Sequence, residues 1–123
     1  MLSLRVWTTS GVALIAAVGL IHLILAPEYF EFATYLGLLF VANFLGAVLC
    51  ALGIFRGAGW AWALGTLVAG GAFIMYVVSR VHGLPGLPES EREWLDPLGI
   101  LSLILEGLFI ALATWGPEEV RGR

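Results

Sequence analysis

Charged residues are scarce in this chain, and lysine is absent. Only 12% of the 123 residues are charged and 60% are hydrophobic, whereas a typical soluble domain is roughly a quarter charged. A soluble fold of this length buries only about two-thirds of the surface that its unfolded chain exposes. That is too little to hide so much apolar side chain, so the composition excludes a soluble domain and favours lipid as the solvent.

Disulfides, excess basic charge and catalytic motifs are also missing. The single cysteine, Cys50, excludes an internal disulfide, and the net charge of −3 gives no electrostatic basis for binding nucleic acid. The sequence has no phosphate-binding glycine loop, no G-x-S-x-G elbow, and no H-x-x-x-H or C-x-x-C metal spacing. We therefore do not expect hydrolytic or nucleotide chemistry, and an enzyme is the less favoured class.

Four apolar runs approach the roughly 20 residues that cross about 30 Å of hydrocarbon. They predict membrane spans at 7–26, 35–55, 60–79 and 97–115, with outer loops at 27–34 and 80–96. Pro27 is expected to end the first span, and Asp96 is expected to cap the fourth, which begins at Pro97. Since lipid does not tolerate open backbone groups, the predicted fold class is all-α, a polytopic four-transmembrane-helix bundle in one domain.

The arginines and the acids predict the orientation. Arg5, Arg56, Arg121 and Arg123 lie on one side of the spans, and Arg80 and Arg92 lie on the other. The excess of arginine on the first side predicts an N-in/C-in protein of the inner (plasma) membrane. Six acids then lie on the outer side: Glu28, Glu31, Glu89, Glu91, Glu93 and Asp96.

Each span carries a stripe of small or polar residues, and three of these residues are costly to leave in hydrocarbon. Glu106 lies about 13 Å along the helix from Pro97, close to mid-membrane. Asn43 and His22 fall in the same outer half of the membrane. We expect the three to share one outward-facing pocket, with Ser102 and Tyr76 as further binding residues.

Two roles remain open for Glu106. An ionisable residue at this depth is by default a functional candidate, here as a proton carrier, a cation or metal ligand, or a substrate contact. Low polarity favours its neutral form. In the structural alternative, a neutral carboxyl bonds Asn43, Tyr76 or a facing carbonyl and locks the bundle.

The histidines leave a cofactor open, although the sequence requires none. His22 is either a structural hydrogen-bonding residue or a ligand, and a metal site would use His22, Glu106 and His82. Haem or copper at His22 is the redox alternative. Metal analysis and the visible absorption spectrum of the purified protein distinguish this alternative from the others.

Arg80 follows the third span at the predicted outer surface. We expect its guanidinium to pair with Glu28 or Glu31 and so to tie the two outer loops together. In the alternative, the side chain simply extends to the lipid–water interface.

Short motifs spread over most of the chain carry a resemblance. They are His22-x-x-x-x-Pro27-Glu28, Gly37-x-x-Phe40, Ser79-Arg80-x-x-Gly83-Leu84-Pro85, and Pro97-x-Gly99 followed by Glu106. The set resembles a group of uncharacterised bacterial four-helix membrane proteins, and in helix count the chain is similar to DoxX-like proteins. The resemblance implies the four-helix fold and no activity. The chain also matches small multidrug resistance transporters in size. Their essential carboxylate lies in the first helix, however, and the first predicted span of this chain has no acid.

Three functions from different classes follow. The leading hypothesis is a membrane protein whose outward-facing intramembrane pocket binds or transports a small ligand or cation. The alternatives are an accessory or structural subunit of a larger membrane complex, and a haem- or copper-binding redox protein. The lipid bilayer is the expected partner in each case, and each is compatible with a homodimer.

Overall fold

Four long helices make up most of the structure. The computed structural model describes residues 3–116. The helices are α1 (Leu4–Phe32), α2 (Thr34–Phe55), α3 (Trp60–Val81) and α4 (Pro97–Trp115), with a 3₁₀ turn at Glu89–Glu91. All four are long and apolar enough to cross a membrane. The predicted all-α four-helix bundle is thus confirmed, and the chain is a small multi-pass membrane protein. Arg121 and Arg123 lie outside the described residues, and the orientation stays a prediction.

The first helix does not end at Pro27, and the predicted loop at 27–34 is wrong. Proline removes one amide donor and usually ends or kinks a helix, yet α1 continues through it to Phe32. Packing beyond the proline accounts for this, because the Tyr29 ring stacks on Phe40 of α2 with centroids 4.0 Å apart. Only Ala33, with extended backbone angles, separates α1 from α2.

The other helix ends follow the sequence more closely. The Ser3 hydroxyl accepts a hydrogen bond from the Val6 amide at 3.2 Å and caps α1. Gly57 turns the chain between α2 and α3 with φ of 80°, a region that favours glycine. Pro97 begins α4, but the side chain of Asp96 makes no capping hydrogen bond, so that part of the prediction is wrong.

The helices pack in chain order around the bundle, and α4 closes against α1. We call the half of the bundle next to residues 56–59 the link half, and the half next to residues 82–96 the loop half. An apolar core occupies the link half, where Trp62 stacks on Phe109 with ring centroids 5.5 Å apart. The Cys50 thiol there donates to the Ala61 carbonyl at 3.1 Å, as expected for a small buried side chain.

Small residues let the helices approach in this core. A side chain added at Gly65 would meet the Phe109 ring and the Cys50 sulfur, the latter at 2.6 Å, whereas one added at Gly107 on α4 would meet nothing within 4 Å. Close helix contact through small residues is the usual basis of helix association in membranes. Gly65, Gly99 and Ser102, which belong to the stripes of small and polar residues, are buried.

We predict that Gly65→Ala destabilises the bundle. The added methyl group must displace an aromatic ring in a packed core, and overpacking of this kind costs about 1–3 kcal/mol. Thermal unfolding of the purified protein in mild detergent measures the effect, with Gly107→Ala as the matched control. Equal transition temperatures for the two variants would contradict the packing described here.

Candidate functional site

One cavity in the loop half collects all five residues predicted from the sequence to bind a ligand. Its volume is about 410 Å³, and its wall includes His22, Asn43, Tyr76, Ser102 and Glu106. Each of the four helices contributes to the wall, which is otherwise mostly apolar. This size and composition are typical of small-molecule sites in proteins.

Glu106 is the most deeply buried polar residue of the cavity wall. Its side chain is only 2% exposed. The Ser102 hydroxyl, one turn earlier on α4, donates to Oε2 at 2.5 Å. Among the described residues, the other carboxyl oxygen, Oε1, has no hydrogen-bond partner. In the structural alternative, the carboxyl of Glu106 would bond to Asn43, Tyr76 or a facing carbonyl. The observed hydrogen bond instead lies within α4 and does not join two helices.

Asn43 of α2, another residue of the cavity wall, carries a second unpaired buried acceptor. Its Nδ2 donates to the Val68 carbonyl of α3 at 3.4 Å. This bond assigns the other amide atom, Oδ1, as the acceptor, because a carbonyl can only accept. Oδ1 is buried and has no partner within residues 3–116. A buried acceptor without a partner costs about 1–3 kcal/mol, and this cavity contains two.

His22 of α1 is oriented by its own helix. Its Nδ1 lies 2.8 Å from the Val18 carbonyl, and since that oxygen only accepts, Nδ1 carries the hydrogen. The ring packs against Phe40 with centroids 5.0 Å apart. The backbone bond matches the structural role considered for His22, while its place in the cavity wall leaves Nε2 as the ring nitrogen that can meet a ligand.

The three-residue metal set predicted from the sequence does not form in this structure. His82 is exposed at the end of α3, whereas His22 and Glu106 line the cavity. Across residues 3–116, no three histidine, cysteine, aspartate or glutamate side chains come together in a group that could hold a metal ion. The reason is the end of α3, which places His82 beyond the membrane-spanning part of the bundle.

Arg80 lies in the cavity wall, although its position after the third span led us to expect an outer-loop ion pair. It is 8% exposed, and its guanidinium carbon lies 3.9 Å from the centroid of the Tyr76 ring. Its Nε donates to the Glu93 carbonyl at 3.0 Å, and Nη1 donates to the Ser79 hydroxyl at 2.8 Å. Neither Glu28 nor Glu31 is among these partners, so the expected ion pair is replaced by a buried cation held by backbone, hydroxyl and aromatic groups.

Residues 82–96 cross the loop end of the cavity. Leu87 is buried and lines the cavity wall. The Tyr35 hydroxyl of α2 donates to the Pro85 carbonyl at 2.6 Å. The Tyr76 hydroxyl of α3 donates to the Trp94 carbonyl at 3.1 Å. The segment is therefore attached to both sides of the cavity. Within the segment, Glu89–Glu91 forms a short 3₁₀ turn.

Sequence reasoning missed Tyr29 as a cavity residue because it ended the first helix at Pro27. Tyr29 follows His22 by seven residues, two helical turns, and so lies on the same face of α1. A first helix predicted to continue past Pro27 would have placed Tyr29 in the cavity wall, which is its position in the structure. Arg80 was missed because an arginine after a span usually extends toward water.

Comparison of this chain with protein-family models, with curated proteins and with solved structures finds no match. The chemistry of the cavity must therefore be argued from its own residues. Mostly apolar walls combine with a buried carboxyl, an unpaired amide oxygen and a buried guanidinium. Such a site can hold an apolar molecule and orient it through a few hydrogen bonds.

We predict that Arg80→Ala loosens the 82–96 segment. The change removes the bond to the Glu93 carbonyl and the contact with Tyr76, so the segment opens more often. A glutamate-specific protease should then cut after Glu89, Glu91 or Glu93 several-fold faster in detergent solution. Arg56→Ala, an exposed arginine at the opposite end of the bundle, is the control. Equal cleavage rates would show that Arg80 does not hold this segment.

Proposed function

We propose that this membrane protein binds a small molecule inside the cavity and that Glu106 is the group that recognises it. The observation that carries the proposal is the unpaired Oε1 of a carboxyl that is 2% exposed. Buried polar groups in proteins are nearly always hydrogen-bonded. A ligand with an N–H or O–H group would supply the bond that the described residues do not.

The hydrogen bond of Glu106 favours a binding role over a structural one. A carboxyl that locked the bundle would be bonded across a helix interface, whereas Ser102 lies on the same helix. Asn43 supports the same view, because its Nδ2 joins α2 to α3 while its Oδ1 stays unpaired. With Oε1 as the oxygen that carries no hydrogen, both unpaired atoms are acceptors, so the proposed ligand donates hydrogen bonds, as a hydroxyl compound or an amine.

The setting of the site completes the proposal. The arginine distribution supports placing the cavity in the outer half of a bacterial plasma membrane with both termini inside. The apolar core of the link half lies between the cavity and the opposite end of the bundle. Binding from one side is therefore the function that this arrangement favours, and transport would require that core to open.

We predict that the protein retains one small molecule when it is extracted gently from its own membrane, and that Glu106→Gln loses it. Native mass spectrometry of the intact protein measures the retained mass. Loss of a hydrogen bond to a charged or strongly polar group costs about 1.5–3 kcal/mol, which lowers affinity by roughly tenfold or more. The amide keeps the shape of the side chain, so the fold should survive.

The matched control is Glu31→Gln, which makes the same change at an exposed carboxyl that does not line the cavity. It should retain the molecule as the unmodified protein does. The proposal fails if no molecule is retained by either protein, or if Glu106→Gln retains it as well as Glu31→Gln.

A further inference from the structure

The exposed residues of the cavity wall all belong to two helices. They are Leu39 and Ala42 on α2, and Leu67, Gly71 and Met75 on α3. Leu67 is 74% exposed, Leu39 46% and Met75 37%. The wall residues from α1 and α4 are buried or half-buried by contrast. Side chains that line the cavity and also lie on the outer surface form the rim of an opening.

Helical spacing puts the exposed wall residues of each helix on one face, and together they border a gap in the cavity wall. Leu39 and Ala42 are three residues apart on α2, and Leu67, Gly71 and Met75 are spaced by four on α3. Residues at such spacings share one face of a helix. We call this gap, bounded by the five residues, the α2–α3 window.

The two helices touch on the link side of the window. The Cys50 thiol of α2 donates to the Ala61 carbonyl of α3, and Asn43 reaches the Val68 carbonyl. A side chain added at Gly46 would meet Val68 at 2.9 Å. These contacts all involve Asn43 or residues nearer the link, and most of the window lies beyond them on the flank of the bundle.

The loop end of the cavity is covered, whereas the window is open. Tyr35 and Tyr76 both donate hydrogen bonds to the 82–96 segment, and Leu87 of this segment is buried and lines the cavity. Its backbone at Gly86 also lies close to Ala33, since a side chain there would meet the Ala33 methyl at 2.9 Å. The 82–96 segment thus covers the loop end of the cavity, while the rim on α2 and α3 is exposed.

We infer that the cavity takes its ligand from the bilayer through the α2–α3 window, and that the ligand is a membrane-soluble amphiphile. This inference rests on the proposed function and adds the source and chemical class of the ligand. The donor group of the amphiphile lies at Glu106 Oε1 and Asn43 Oδ1. Its apolar part contacts the leucine and methionine side chains of the rim and extends toward lipid.

Carbodiimides test the route of access to Glu106. A carboxylic acid adds its O–H across one C=N bond of the reagent, and the acyl group then migrates from oxygen to nitrogen to give a stable N-acylurea. No atom leaves, and nothing is oxidised or reduced. Dicyclohexylcarbodiimide dissolves in lipid, whereas ethyl-dimethylaminopropyl carbodiimide stays in water. The protein is reconstituted in phosphatidylcholine vesicles, and peptide mass spectrometry locates each adduct.

We expect the lipid-soluble reagent to modify Glu106 and the water-soluble reagent to modify the exposed acids only. Modification of the exposed acids shows that the water-soluble reagent is active. If it modifies Glu106 as fast as the lipid-soluble reagent does, the route is aqueous and the inference is overturned. If neither reagent reaches Glu106, the window is closed and the inference is equally overturned.

Two glycine variants separate the window from the rest of the surface. Gly71→Phe places a ring in the window, and Gly107→Phe places the same ring on α4 away from the cavity. A Cβ added at either glycine would meet nothing within 4 Å, so neither position is crowded next to the backbone and we expect both variants to fold. The lipid-soluble reagent should label Glu106 several-fold more slowly in Gly71→Phe and at the unmodified rate in Gly107→Phe. Equal rates in the two variants would overturn the inference.

The labelling experiment and the test of the proposed function can fail independently of each other. An aqueous route leaves a bound molecule and its dependence on Glu106 intact in native mass spectrometry, so only the lateral route fails. The proposed function fails instead if no molecule is retained, or if Glu106→Gln retains it. Neither result depends on which carbodiimide reaches the carboxyl.

Discussion

The absence of water from the membrane interior is the constraint on which this structure depends. Polar groups in hydrocarbon must find partners within the protein, and the polar residues of the four spans accordingly meet inside the bundle. Ser102 satisfies one oxygen of Glu106, and Val68 satisfies the amide nitrogen of Asn43. The remaining oxygens have no such partner among the described residues, and this imbalance distinguishes the cavity from an ordinary polar contact.

The two halves of the bundle have different roles: the link half stabilises the fold, and the loop half forms the site. In the link half, glycine and alanine bring the helices together around Trp62 and Phe109. In the loop half, aromatic and aliphatic side chains line the cavity. The packed half can therefore support a half that admits another molecule, and the short link at 56–59 joins α2 to α3 at the packed end.

Much of this arrangement was predictable from the sequence because lipid imposes simple rules. Spans follow from length and hydropathy, and the three later helices begin and end within two residues of the predicted positions. The meeting of Glu106, Asn43 and His22 was also predictable, since polar residues at similar depth on separate spans share the bundle interior. The continuation through Pro27 was not predictable, because it depends on the packing of Tyr29 against Phe40. The partners of Arg80 were not predictable either. Nor was the window, because it depends on the gap between α2 and α3.

The central claim is that Glu106 Oε1 receives its hydrogen bond from a bound molecule. Infrared spectroscopy tests this most directly, with the signal of the Glu106 carboxyl isolated by subtracting the spectrum of Glu106→Gln. The account predicts that a long-chain alcohol added to the reconstituted protein shifts this signal, while its methyl ether, which has no donor, does not. A carboxyl signal that is the same with the alcohol, with the ether and with neither would contradict the account.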